Sequence, residues 1–151
     1  MKKIGWFLLI LIFISGCHNS KLIKNTFIEI AEFNGYVLYN TKKDYDKYDY
    51  IKDVYYAFNR ENAYLIQFIE LENEEYAKKF YEINKKNIEQ KIDNSSNIQK
   101  GEGKSYSYYR VYSNEEYMLV IQNDNNVLYL DAPMGYLDEI NTFLNELNLK
   151  Y

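Results

Sequence analysis

The sequence predicts an α+β domain. One antiparallel sheet of about four to six strands carries about three helices, in the order α-β-β-β-α-β-β-β-α. Three observations lead there. Apolar residues recur at helical spacing in three separate windows. Runs rich in β-branched and aromatic residues fall between those windows in two groups. The connections inside the groups are short, and short connections join antiparallel neighbours.

The elements follow in chain order. Thr26-Phe27-Ile28-Glu29 fits a capping box, with Thr26 accepting from the third amide and Glu29 reaching back. Phe27, Ile30 and Ala31, with Phe33, supply an apolar stripe, and Asn34-Gly35 is a natural stop. A short strand at 36–39 follows, then a polar, charged loop at 40–50. Residues 52–58 and 63–70 are expected as strands, with Asn59-Arg60-Glu61-Asn62 as their hairpin turn.

The clearest helix is 74–92. Glu74 and Glu75 suit its positive end, and Tyr76, Ala77, Phe80, Ile83 and Ile88 fall near one face. Residues 93–103 (DNSSNIQKGEG) are turn-rich and expected as a loop. Strands at 104–112, 117–122 and 127–130 should form a meander. Pro133 fits the first turn of a last helix, whose core stripe is Leu137, Ile140, Phe143, Leu144 and Leu147. All helices are expected on one face of the sheet. The halves echo each other weakly, with Tyr56…Glu61…Tyr64 beside Tyr109…Glu115…Tyr117.

Composition narrows the class. A chain of 151 residues fits one domain. Apolar residues at 47% and charged residues at 26% are globular values and exclude a wholly disordered chain. One Pro and six Gly exclude a collagenous or Pro-rich linker protein. A formal charge of −4 argues against a nucleic-acid partner bound by phosphate neutralisation. A lone Cys cannot form an internal disulfide, and with a lone His it cannot build a Cys/His zinc site.

The N-terminus carries the most specific signal. Lys2 and Lys3 precede nine consecutive large apolar residues at 6–14 (WFLLILIFI). A positive start, a short apolar run and a small-residue exit describe a secretory signal peptide. The run is far short of the roughly 20 residues that span a bilayer. Its exit, Ile14-Ser15-Gly16-Cys17, resembles the lipobox of bacterial lipoproteins, in which an aliphatic residue precedes two small residues and an obligatory Cys. The resemblance covers only this targeting segment.

That resemblance implies diacylglyceryl transfer to the Cys17 thiol, cleavage before Cys17, and often acylation of the new amino group by a fatty acid such as palmitate. It also implies export and attachment to the outer face of the cell membrane. In a diderm cell the outer membrane is open, since His18 stands where an Asp would favour inner-membrane retention. Two lipid chains suffice for stable anchoring. The expected division is a cleaved signal peptide at 1–16, a lipidated Cys and tether at 17–25, and one α+β domain at 26–151. Removing 1–16 takes Lys2 and Lys3 and no acid, moving the formal charge from −4 to −6. An anionic membrane mildly repels such a body.

Chemistry-bearing residues are sparse. The only Cys is assigned to lipid and the only His lies beside it, so a Ser-His-Asp or Cys-His device has no base on the folded body. Asp44, Asp46 and Asp49 lack the Gly and terminal Glu of a calcium loop, and Lys42, Lys43 and Lys47 oppose a cation there. No metal site and no cofactor are expected. Asp124-Asn125-Asn126 is turn chemistry. Glu70, Glu72, Glu74 and Glu75 make an acidic corner that mostly serves the helix start.

Tyrosine is the outlier, with 18 residues. Alternation places Tyr106, Tyr108, Arg110 and Tyr112 on one face of a strand. Aromatics with an Arg are the residue types of binding hot spots, and half-buried sheet packing is the plainer use. A second cluster, Tyr45, Tyr48, Tyr50, Tyr55 and Tyr56, lies partly in a loop. The expectation is a non-enzymatic binding module of the bacterial envelope, held to the membrane through Cys17, with a protein partner at the sheet face or edge. The alternatives are a carboxylate-dependent hydrolase acting on wall glycan or peptide, and a small-ligand sensor.

Overall fold

Period-two patterning builds the sheet, and the computed structural model describes it within residues 21–149. The expected signal segment and Cys17 lie outside the described residues. The elements are α1 (Lys24–Phe33), β1 (Val37–Asn40), β2 (Ile51–Phe58), β3 (Leu65–Leu71), α2 (Glu74–Glu89), β4 (Asn97–Glu102), β5 (Tyr106–Tyr112), β6 (Glu116–Asn123), β7 (Asn126–Pro133) and α3 (Leu137–Glu146). One-turn 3-10 helices occupy Lys42–Tyr45 and Met134–Tyr136.

The class is α+β with one antiparallel sheet, and the sheet has seven strands in the order β1-β2-β3-β7-β6-β5-β4. Two meanders, β1–β3 and β4–β7, meet where β3 pairs with β7. The strand beyond the expected count is β4, inside the segment expected as a loop. Its sequence NIQKGE has no apolar alternation, because it is an edge strand with little burial. Its backbone ladder with β5 holds it, from Asn97 opposite Tyr112 to Glu102 opposite Ser107.

The helices lie on both faces, not one. Phe27 and Ala31 of α1 and Ile140, Phe143 and Leu144 of α3 share a core with Phe68, Leu119, Leu128 and Leu130. Phe27 stacks on Phe68 at 5.1 Å and meets Phe143 edge-on at 5.8 Å. On the opposite face Ala77, Tyr81 and Ile88 of α2 pack on Val111, Met118, Val120 and Val127. Alternation explains the split, since Met118 and Val120 point one way and Leu119 and Ile121 the other. Strand β6 is therefore buried on both sides, which is why its apolar run is continuous.

Several boundaries differ from the sequence expectation for local reasons. In α2 the buried stripe is Ala77, Tyr81 and Ile88, while Ile83 is 55% exposed. Ile83 stands six residues from Ala77, about 120° off that stripe. The helix ends at Glu89 rather than at residue 92. Pro133 closes β7 and precedes the Met134–Tyr136 turn rather than sitting in α3. Thr26 lies inside α1, whose N-cap is Ile23 with no side-chain cap.

The reason for that early start is Leu22. It lies in the stretch expected as tether, yet it is 1% exposed and belongs to the α1–α3 core. Its backbone N–H donates to Asn123 Oδ1 at 2.8 Å. Asn126 Nδ2 donates to its carbonyl, also at 2.8 Å. Both amides flank the β6–β7 turn, where Asp124 takes a positive φ of 51°. The chain is thus fixed to the sheet from Leu22 onward.

Candidate functional site

Strand β5 alternates as its sequence demands. Ser107, Tyr109 and Val111 are buried, while Tyr106, Tyr108, Arg110 and Tyr112 are half-buried on the other face. The three tyrosines among the latter border the α1–α3 core. The four side chains form a continuous row. Tyr106 and Tyr108 ring centroids are 6.1 Å apart. The Arg110 guanidinium sits 6.0 Å from the Tyr108 ring and 5.4 Å from the Tyr112 ring. Tyr112 meets Tyr117 of β6 at 5.0 Å. A cation held between two ring faces gains from both quadrupoles, and partial desolvation strengthens that gain.

The edge strand orients the row. Arg110 donates to Gln99 Oε1, directly across on β4. Gly101 stands opposite Tyr108, and a Cβ there would lie 2.5 Å from Tyr108 Cε1. The edge of the ring therefore lies against the bare backbone of β4. Only glycine leaves that space, and Gly101 follows from the ring rather than from a turn.

Beside this row a cleft of about 670 Å³ opens at the β4–β5 turn. Tyr106, Tyr108 and Gly101 line it, with Lys21, Glu102, Lys104, Ser105, Asn123 and Asp124. Lys21 Nζ pairs with Asp124 at 3.2 Å, and both side chains are well exposed. Such a pair adds little stability. The wall itself is firm. Asp124 N–H donates to the Ser105 carbonyl at 2.8 Å, Gly103 N–H to the Tyr106 carbonyl at 2.6 Å, and Gln122 Nε2 to the Asp124 carbonyl at 2.7 Å. The cleft is thus a rigid recess with an aromatic wall and a polar rim. It suits a ligand that offers both a flat or apolar part and hydrogen-bonding groups.

The other sequence candidates sit elsewhere. Tyr45 and Tyr56 share a hydroxyl hydrogen bond of 2.7 Å, and Tyr50 stacks on Tyr76 at 4.6 Å. Tyr45, Tyr48, Tyr50 and Tyr56 border the α2 core and pin the 40–50 segment to it, while Tyr55 borders the opposite core. Three of the four acids of the corner pair with lysines. Glu70 pairs with Lys24, Glu74 with Lys78 and Glu75 with Lys79. Asp46 pairs with Lys42 at 3.5 Å. Among the described residues no group of three or more His, Cys, Asp or Glu could hold a metal ion. No described helix is long and apolar enough to cross a membrane.

One surface was not foreseen. On the α2 side of the sheet, α2 packs over β6 and its neighbours and leaves the β1–β2 corner open. Tyr39, 54% exposed, meets Phe58 edge-on at 5.6 Å. With Tyr56 these rings line a shallow recess of about 370 Å³. Strand alternation places Tyr39, Tyr56 and Phe58 on one face; which part of that face a helix covers depends on where α2 crosses.

Buried phenols mark the opposite core. Tyr36 and Tyr64 hydroxyls lie 2.6 Å apart, and Tyr64 donates to Glu139 Oε1 at 2.7 Å. Burial pushes both phenols above the usual tyrosine range. Burial also pushes Tyr56 up to about 12, helped by its bond to Tyr45. These groups stay protonated near neutral pH and act as hydrogen-bonding core. Comparison of the chain with protein-family models, with curated proteins and with solved structures finds no match.

Proposed function

We propose that this protein is a lipid-anchored module on the outer face of a bacterial membrane, whose domain binds another envelope protein without catalysing a reaction. The lipobox-like Ile14-Ser15-Gly16-Cys17 supports the anchor. The observation that carries the binding site is the Tyr108–Arg110–Tyr112 stack beside the cleft at the β4–β5 turn. Aromatic rings and an Arg, pre-ordered by packing, lose little side-chain freedom on binding. They are also the residues in which binding energy concentrates.

The test begins with mild crosslinking and affinity capture from envelope extracts, using the soluble protein from residue 18 onward. The captured partner is then titrated against the native protein and a folded Tyr108→Ala/Arg110→Ala variant. The expected result is one saturable partner and a loss of more than about 1 kcal/mol in the variant. Equal affinity for the two proteins sinks this site. Absence of a saturable partner turns the reading toward a small ligand, for which ligand-dependent melting is the measure.

A further inference from the structure

We infer that the end of the sheet carrying the β4–β5 and β6–β7 turns is the surface that lies against the lipid bilayer. The inference rests on the anchoring of Cys17 proposed above.

The fixed point is Leu22. Its two backbone bonds to Asn123 and Asn126 and its complete burial hold it at the β6–β7 turn. Cys17 precedes it by five residues, a stretch that reaches at most about 18 Å however it is arranged. Lipid on Cys17 therefore holds this turn within that distance of the headgroups. A long tether would leave the domain free to tumble, but the clamp takes residues 22–25 out of the expected 17–25 tether. The opposite end of the sheet is about 24 Å from this turn, the rise of β6 over Glu116–Asn123.

The chemistry of this end fits a lipid surface. Ile23, 46% exposed, projects beside the clamp and lines a recess with Lys21 and Lys24. An exposed aliphatic group flanked by lysine stems suits the headgroup boundary. The lysines near it are neutralised within the protein, Lys21 by Asp124 and Lys24 by Asp53 and Glu70. These lysines thus face three carboxylates, and the paired groups carry one net negative charge. Helix α2 also begins at this end, with Glu74 and Glu75 of its first turn paired to Lys78 and Lys79. With this orientation the cleft at the β4–β5 turn opens toward the membrane, so its occupant is presented at the membrane surface.

The test uses the full chain, processed in a bacterial host and reconstituted in phosphatidylethanolamine–phosphatidylglycerol vesicles carrying a dansyl headgroup label. Trp6 is the only tryptophan and leaves with the signal segment, so one introduced Trp is a unique donor. Lys104→Trp marks the β4–β5 turn and Asn114→Trp the far end of β5. Mass spectrometry of the Cys17 peptide reads the lipid separately. Lipid on Cys17 with transfer at least about threefold stronger from Lys104→Trp, as the length of the sheet requires, supports the orientation. Lipid present with equal transfer, or stronger transfer from Asn114→Trp, overturns the orientation alone. An unmodified Cys17 in a soluble protein overturns the orientation and the anchoring together.

Discussion

Truncating Leu22 to Ala tests whether the folded body begins where the structure places it. Leu22 is 1% exposed and touches the core shared by α1 and α3. The change removes three carbons, worth about 0.8 kcal/mol each on burial, or roughly 2.4 kcal/mol. A residual void of about 25–50 Å³ adds roughly 0.6–1.2 kcal/mol. The expected loss is therefore about 3–3.5 kcal/mol. For a domain of this size that lowers the melting temperature by roughly 6–14 °C. Urea unfolding of a soluble form lacking residues 1–17 measures it, with the slope unchanged if the unit stays cooperative. Ile23→Ala is the neighbouring control, at 46% exposure, and should lose less than about 1 kcal/mol. A loss below about 1 kcal/mol for Leu22→Ala would refute the reasoning. It would mean that the clamp contributes nothing to the cooperative fold and that the first helix starts as a loose end.

Two further outcomes are expected. In Gly101→Ala the new Cβ meets a ring edge that can swing away, so stability should change by less than about 1 kcal/mol. The Tyr108 ring should leave its seat, visible as altered near-ultraviolet circular dichroism and weaker partner binding; an unchanged spectrum and affinity contradict the seating. The raised phenols of Tyr36, Tyr56 and Tyr64 make the folded chain hold protons more tightly than the unfolded one. Their stabilising share is complete below about pH 10 and is lost as pH rises above it, through about 12 for Tyr56. The urea midpoint should hold from neutrality to about pH 9 and then fall, with a shallower fall in Tyr64→Phe. A midpoint that stays level through about pH 11 contradicts this assignment.

Much of the fold is legible because periodicity survives in it. Strands β2, β3, β5, β6 and β7 and all three helices fall within a few residues of where spacing puts them. Strand β4 is illegible because an edge strand buries almost nothing, so NIQKGE carries no apolar signature. The two-sided covering of the sheet does leave a trace. The run Met118-Leu119-Val120-Ile121 does not alternate, and a non-alternating apolar strand is one covered on both faces. Short connections are compatible with helices on either face, so they could not correct the one-sided expectation. The early start of α1 has the same kind of cause. Thr26 and Glu29 have the spacing of a capping box, but the bonds that fix the chain come from Asn123 and Asn126, about a hundred residues away. The row on β5 is legible by alternation alone; the cleft beside it depends on two turns that only the fold brings together.

Those two turns couple the Leu22 clamp to the cleft. Asn123 accepts from Leu22 on one side, and its neighbour Asp124 donates to Ser105 on the other. Ser105 leads directly into Tyr106, the first residue of the aromatic row. A shift of Leu22 therefore has a path into the cleft wall of two hydrogen bonds, one to the Asn123 side chain and one from Asp124 to Ser105, joined by chain neighbours. Each bond is worth only about 1 kcal/mol net, but the groups are packed at interior density, and packed interiors transmit displacement rather than absorb it. The exposed Lys21–Asp124 pair runs parallel to this path and adds little to it. Asn123, paired directly across from Tyr106, and Ser105 thus set the position of the row at the β4–β5 turn. Gln99 and Gly101 set it along the edge. The row on β5 is positioned from both sides by residues that carry no aromatic signal of their own.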